Sequence, residues 1–119
     1  MKENYLEKKS LIFAGEIINV YKRLISDFQE TVISKQILKS GTSIGANINE
    51  ANYAQSRLDF ISKLQIALKE TAETEYWLRV LHYSQLIDEE TFSTLLEECL
   101  EIKRLLISSV NTAKSKLPK

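Results

Sequence analysis

The side chains that most often carry catalysis or bind metals are scarce in this sequence. The chain has one histidine, His82, and one cysteine, Cys99. Helical di-iron and di-manganese proteins pair a glutamate with a histidine three residues later, but the residue three before His82 is Arg79. No glycine-rich phosphate loop of the strand–helix type is present in the sequence. These residues predict no catalytic centre, metal site or cofactor. We expect His82 to be a surface or packing residue at a helix end and Cys99 to act as a small core residue.

Charge is balanced over the whole chain but not along it. The 16 basic and 16 acidic residues give a net charge of zero, whereas nucleic-acid-binding domains usually carry a basic excess. Residues 70–101 hold nine acids and a single base, Arg79, and residues 102–119 hold five bases and no acid. The overall balance argues against nucleic-acid binding. The uneven distribution is typical of solvated helix faces and a basic tail.

Length and composition predict one domain that needs no disulfide. A chain of 119 residues, 44% of them hydrophobic, fits a single domain over 1–119. No segment approaches the roughly 20 apolar residues that a membrane span needs. Because one cysteine cannot form an intramolecular disulfide and no signal peptide is recognisable, we expect a cytoplasmic protein.

Helical periodicity runs through the sequence, which has only three glycines and one proline. Few breakers predict few turns and long helices. We expect an all-α, antiparallel up-down-up-down four-helix bundle. Its helices are predicted at residues 4–27, 31–53, 57–84 and 88–115. The predicted starts have residues suited to capping, which are Asn4 with Glu7, Thr31, Ser56 with Asp59, and Asp88.

Apolar residues at helical spacing predict which face of each helix enters the core. In the first helix these are Leu6, Phe13, Ile17, Val20 and Leu24, with Leu11, Ile18 and Ile25 widening the face. The fourth helix has Phe92, Cys99, Leu106 and Ala113 at a seven-residue repeat.

The stretch around Gly41 and Gly45 admits two interpretations, a break in the second helix or a continuous helix. We favour a continuous helix because Ile37, Ile44 and Ile48 stay in phase across the stretch. Both glycines then flank the apolar face and let a neighbouring helix approach closely.

The third predicted helix is apolar on two sides. One stripe, which includes Leu64, Leu68 and Leu78, faces the core, and at 100° per residue a second stripe lies nearly opposite. A single bundle core uses only one of them. The second stripe therefore predicts an oligomer interface, unless one wide face wraps into a single core. The stripe consists of Ile66, Trp77, Val80 and Leu81, with Glu70 and Glu73 among them. The predicted interface residues are Ile66, Glu70, Glu73, Trp77 and Leu81.

Polar and basic residues mark the flanks of the second and third helices. Ser40, Ser43, Asn47 and Glu50 either bond across a helix interface and fix its register or form a solvated flank. The candidates for a nucleic-acid-binding surface that contacts phosphate are Lys35, Lys39, Arg57 and Lys63.

The segment from Lys35 to Leu81 resembles a known family. It reads KQILKSGTSIGANINEA at 35–51, DFI at 59–61, IALKET at 66–71 and ETEYWL at 73–78. This pattern, with Ser43, Asn47 and Glu50 as motif residues, is similar to the four-helix-bundle family encoded in intervening sequences of bacterial 23S ribosomal RNA genes. That family is related to the accessory variability determinant of diversity-generating retroelements. The resemblance covers helices two and three strongly and the whole chain in length and layout.

The resemblance implies a bundle that assembles into a ring-like homopentamer and binds RNA, DNA or a nucleic-acid-handling partner. The retroelement relative is markedly basic and this chain is neutral, which weighs against tight, direct binding of nucleic acid. We therefore predict a non-enzymatic homo-oligomeric adaptor with RNA, DNA or a ribonucleoprotein as partner. The alternative is a structural or protein-interaction ring without nucleic-acid affinity. Neither membrane association nor a small-molecule substrate is predicted.

Overall fold

The computed structural model describes residues 2–118, with side chains from Tyr5 onward. Its four α-helices are α1 (Lys2–Phe28), α2 (Ile33–Ala51), α3 (Arg57–Tyr83) and α4 (Glu89–Ser115), and this range contains no strand. Short connections at 29–32, 52–56 and 84–88 reverse the chain, so consecutive helices are antiparallel. The predicted all-α four-helix bundle is confirmed.

The helices are arranged as a square. Each helix packs against the next, and α4 returns to α1 through the least extensive of the four seams. The resulting bundle measures 52 × 22 × 21 Å. One apolar core runs along its axis, with Phe13, Ile44, Leu78 and Leu106 among its buried side chains. Within 2–118, no helix combines the length and the apolar character that crossing a bilayer requires.

The core face predicted for α1 is correct in its centre and wrong at its edge. Leu6, Phe13 and the other three residues of the predicted stripe are buried. Leu11 and Ile18, expected to widen this face, are instead 73% and 37% exposed. At 100° per residue these two side chains lie about 140–160° around the helix from Phe13, so they point away from the bundle axis.

The starts of α3 and α4 follow the predicted capping chemistry. The Ser56 side chain accepts a hydrogen bond from the Asp59 backbone N–H at 3.1 Å, and the Asp88 carboxylate accepts one from the Thr91 backbone N–H at 2.7 Å. Each bond satisfies a helix-terminal donor that has no partner within the helix.

The start of α2 differs from the prediction, because Glu30 caps the helix in place of Thr31. The Glu30 carboxylate accepts hydrogen bonds from the backbone N–H groups of residues 32, 33 and 34, and the helix begins at Ile33. Helix α1 begins at Lys2, two residues before Asn4. Because Asn4 lies inside this helix it cannot be the N-cap, so the predicted start at Asn4 is wrong.

Helix α2 continues through Gly41 and Gly45, as predicted. A Cβ atom on Gly41 would lie 2.9 Å from Cγ2 of Ile17, and one on Gly45 would lie 3.1 Å from the Ser10 hydroxyl. A Cβ at position 41 would force Ile17 to shift, and one at position 45 would make an unusually tight contact with Ser10, so glycine favours this approach. The predicted close helix contact is confirmed, and the neighbouring helix is α1.

Candidate interaction surfaces

The seam between α2 and α3 contains the polar residues that the sequence placed beside the apolar stripe of α2. The Thr74 hydroxyl donates a hydrogen bond to the Ser40 hydroxyl at 2.8 Å inside the core, and Lys63 pairs with Glu50 at 3.1 Å near the surface. Two buried hydroxyls that bond only to each other and to backbone fix the axial register of the two helices. Thr74 was not identified from the sequence, although it lies seven residues after the core residue Ala67.

The other two polar residues of α2 bond within their own helix. The Ser43 hydroxyl donates to the Lys39 carbonyl at 2.7 Å, and the Asn47 amide donates to the Ser43 carbonyl at 2.9 Å. Of the three motif residues, only Glu50 therefore bonds to α3. Ser43 and Asn47 bond within α2, and their unused side-chain donors and acceptors face the flank of the bundle.

Four of the five predicted interface residues form a continuous stripe along α3, here named the acidic–aromatic stripe: Ile66, Glu70, Glu73 and Trp77. Ile66 is 40% exposed, and Trp77 is partly buried against the edge of the core. The Trp77 indole N–H donates to Glu73 at 3.1 Å, and the Trp77 ring meets Tyr76 edge-on at 5.1 Å. The indole is thus held in one orientation while part of its surface faces outward.

Leu81 does not belong to this stripe, because its side chain is 0% exposed in the core. Two series with a seven-residue period line the core side of α3, namely Leu64, Thr71 and Leu78, and Ala67, Thr74 and Leu81. A seven-residue repeat drifts by about 20° per heptad against a straight helix of 100° per residue, and supercoiling absorbs the drift. The straight-helix projection therefore placed Leu81 on the wrong face.

The acidic–aromatic stripe lies on the side of α3 next to α2. Burial and the adjacent Glu73 carboxylate raise the pKa of Glu70, and Lys39 of α2 acts in the opposite direction. Among the described side chains, neither Glu70 nor Glu73 forms an ion pair. Lys69, like Lys39, acts to lower the pKa of Glu70, so the stripe combines two acids that have lysines nearby but no ion-pair partner with an isoleucine and an indole.

The four basic residues predicted to contact phosphate are not gathered into one patch. Lys35 and Lys39 are exposed one turn apart on α2, whereas Lys63 is paired with Glu50. Arg57 stands with Lys116 at a cavity of about 230 Å³ at the far end of α2, on the order of 20 Å from Lys39 along the helix axis. Any phosphate contact by all four residues requires an extended ligand.

A surface groove between α1 and α2 was not identified from the sequence. It has a volume of about 580 Å³, and its lining includes Leu11, Ala14, Thr42, Gly45 and Ala46. A Cβ on Gly15 would meet nothing within 4 Å, so the α1 wall is open beside these residues. The sequence pattern that could have indicated the groove is the seven-residue spacing of Leu11, Ile18 and Ile25, on the side of α1 away from Phe13. This surface is named the α1–α2 groove.

The two residues that suggested chemistry are both held in packing roles. The His82 ring stacks on Phe92 with ring centres 3.8 Å apart, and its Nε2 lies 2.8 Å from a Glu89 carboxylate oxygen. Burial raises the pKa of the Cys99 thiol to about 12, and the thiol donates to the Thr71 carbonyl at 3.5 Å. A buried thiol with that pKa is no nucleophile at neutral pH. Both predicted roles are confirmed.

No metal-binding cluster is found in the part of the chain that the structure describes, where His, Cys, Asp and Glu nowhere gather in a group of three or more suited to an ion.

Comparison with known proteins identifies a family. The model of the 23S rRNA-intervening sequence protein family matches residues 2–108. A solved structure from Bacteroides thetaiotaomicron, a protein of unknown function from the S23 ribosomal protein family, is similar to this chain. The two are 54% identical, with a TM-score of 0.91 over 93% of this chain and 99% of that one. No curated protein matches the chain, and neither matching description names an enzymatic activity. The match spans nearly the full length and includes the motif of α2 and α3, so the chain belongs to the 23S rRNA-intervening sequence protein family.

Proposed function

We propose that this protein is a non-enzymatic, homo-oligomeric adaptor of the cytoplasm, assembled as a pentameric ring. The observation that carries the proposal is the acidic–aromatic stripe. Helix α3 already contributes one face to the bundle core, yet Ile66 is 40% exposed and Trp77 keeps part of its indole outside that core. Tryptophan is enriched among the residues that anchor protein–protein contacts. The stripe is therefore suited to contact with another subunit.

The mass of the protein in solution tests self-association. We expect light scattering to give a multiple of the 13.7 kDa subunit, with five copies for the pentamer. Trp77→Asp should reduce the mass to one subunit and keep most of the helicity in circular dichroism. As the control, Tyr83→Asp changes a 91% exposed aromatic residue at the end of α3 and should leave the mass unchanged. A wild-type monomer would refute the proposal, and unfolding of Trp77→Asp would assign Trp77 to the core.

We further propose RNA, DNA or a ribonucleoprotein as the partner of the ring. Lys35 and Lys39 are exposed on α2, and neither forms an ion pair with any described side chain. Two such lysines in each subunit, repeated around a ring, supply phosphate contacts that a neutral monomer lacks. Because each neutralised phosphate contributes about −0.9 to the slope of log K against log salt, binding through a few contacts per subunit should weaken steeply with salt.

A salt titration with labelled RNA and DNA tests the partner. We expect binding at low salt that weakens at least tenfold towards physiological salt, and that Lys35→Ala with Lys39→Ala abolishes. Lys114→Ala, an exposed lysine at the end of α4, serves as the control and should change affinity little. Absent binding at low salt, or binding independent of salt, would favour the alternative of a protein-interaction ring without nucleic-acid affinity.

A further inference from the structure

The α1–α2 groove has a basic rim. Lys8 lines the groove itself. Lys22 follows Ile18 by one turn of α1, so it lies on the outer side of the same helix. Both lysines are exposed, and neither forms an ion pair with a described side chain. The acid in the groove wall, Glu7, already accepts a hydrogen bond from the Asn52 side chain.

The acidic–aromatic stripe has the opposite character. Its acids, Glu70 and Glu73, form no ion pair among the described side chains, and its apolar members project beside them. A basic-rimmed apolar groove and an acidic apolar ridge thus occupy two different faces of the same subunit. Complementary potentials favour contact between unlike faces, and like charges oppose contact between two copies of one face.

We propose that the acidic–aromatic stripe of one copy docks into the α1–α2 groove of the next copy. Glu70 and Glu73 then face the lysine rim, and Ile66 and Trp77 enter the groove. The small wall residues Ala14 and Ala46, together with Gly15 beside them, leave room for a second helix to approach. The inference rests on the proposed self-association and extends it by naming the two surfaces that meet.

The positions of the two surfaces give a closed assembly. Two different faces in contact form a heterologous interface, which closes into a ring only when the rotation between copies allows it. The groove lies on the α1–α2 side of the square bundle, and the stripe lies on the adjacent α2–α3 side. When the outward directions of the two contacting faces differ by about 90–110°, each copy is rotated relative to the previous one so that four or five copies close into a ring. The pairing therefore fits a small ring and disfavours an open fibre.

Mixing two interface variants tests this pairing. Leu11→Asp places a charge in the groove at a 73% exposed position, and Ile66→Asp places one in the stripe at a 40% exposed position. Each variant alone should have the 13.7 kDa mass of one subunit. An equimolar mixture should give a heterodimer of twice that mass, because one intact stripe meets one intact groove and growth stops there. Ile107→Asp, at a 41% exposed position on α4, is the matched control and should keep the wild-type mass.

The other outcomes overturn the inference in distinguishable ways. A wild-type monomer refutes both self-association and the pairing. An oligomeric Leu11→Asp variant shows that the groove is not the interface, while self-association stands. A mixture that stays monomeric shows that both surfaces are needed but do not meet each other.

Charge exchange provides a second test that keeps the apolar contacts intact. Lys22→Glu and Glu73→Lys should each weaken association about tenfold, and the two changes combined in one chain should restore it. If the double variant loses as much association free energy as the two single variants lose together, the pairing is overturned. This test holds even if Ile66→Asp fails to fold.

Discussion

Among single residues, the least expected arrangement is a pair of carboxyl groups in the seam between α1 and α4. One oxygen each of Glu16 and Glu98 is buried without a hydrogen-bond partner among the described side chains. Burial, followed by the hydrogen bond to Glu16 and its negative charge, raises the pKa of Glu98 to about 7. Lys9 opposes this shift, but its ammonium is bound to Glu101 at 2.7 Å. We infer that the Glu98 carboxyl keeps its proton at neutral pH, and that this proton supplies the missing donor.

This pair makes stability depend on pH, and Glu98→Gln should remove the dependence. Between the ordinary carboxyl pKa of 4.5 and about 7, the folded chain binds more protons than the unfolded chain, so stability falls as pH rises. An amide resembles the protonated acid at every pH. We expect Glu98→Gln to be more stable than wild type by about 1–2 kcal/mol above neutral pH, after allowance for screening by water, and nearly equal at acidic pH.

Urea unfolding at several pH values measures the effect. Glu97→Gln, which changes an exposed carboxylate one residue away, should keep the pH dependence of the wild type. A Glu98→Gln variant whose stability gain is the same at acidic and alkaline pH would contradict protonation of Glu98 at neutral pH. The pair could not be predicted from the sequence, because it depends on the axial register of two helices that are far apart in the chain.

Among the helices, the features that follow from local chemistry were the predictable ones. The caps at Ser56 and Asp88 require only side-chain oxygens at the correct spacing, and the continuity of α2 follows from the phase of its isoleucines. Predictions that depend on a neighbouring helix were less accurate. Leu81 was placed on the wrong face because a straight projection of one helix does not contain the supercoil. Leu11 was also placed wrongly, although its spacing of 100° per residue already sets it about 160° from Phe13.

The end of α3 offers an element-scale prediction. Gln85 has a φ of 60°, in the left-handed region, while Leu86 N–H bonds back to the Leu81 carbonyl at 2.9 Å in a helix-terminating turn. Glycine adopts this conformation without a Cβ clash. We expect Gln85→Gly to stabilise the protein by about 0.5–1 kcal/mol in urea unfolding, even though glycine loses more entropy on folding.

The matched control for Gln85→Gly is Gln65→Gly, an exposed glutamine inside the same helix. There glycine should destabilise by about 1 kcal/mol. Destabilisation of equal size at both positions would show that the turn after α3 does not hold Gln85 in the left-handed region in solution.

For the whole molecule, the sequence predicted that α3 has more apolar surface than one core buries. It did not show which other surface of the protein could pack against that excess. The stripe was predictable because its members share one helix, apart from Leu81. The α1–α2 groove was not, since its walls come from two segments and its depth depends on the close approach at Gly41 and Gly45. A surface built by two helices appears only when their separation is known.

Self-association has a further consequence for the whole molecule, because binding between folded subunits stabilises the fold by mass action. For a five-membered ring, each tenfold rise in protein concentration should add about 1 kcal/mol per subunit, which raises Tm by roughly 4 °C for a chain of this size. Leu11→Asp and Ile66→Asp should remove this concentration dependence, and Ile107→Asp should retain it, as measured by thermal denaturation across a dilution series. The comparison separates assembly from intrinsic stability, since a variant that only weakens the core would lower Tm at every concentration by a similar amount. A wild-type Tm that stays constant over the series would show that folded subunits do not associate. The groove and the stripe would then be free surfaces of a monomer, available to a different partner.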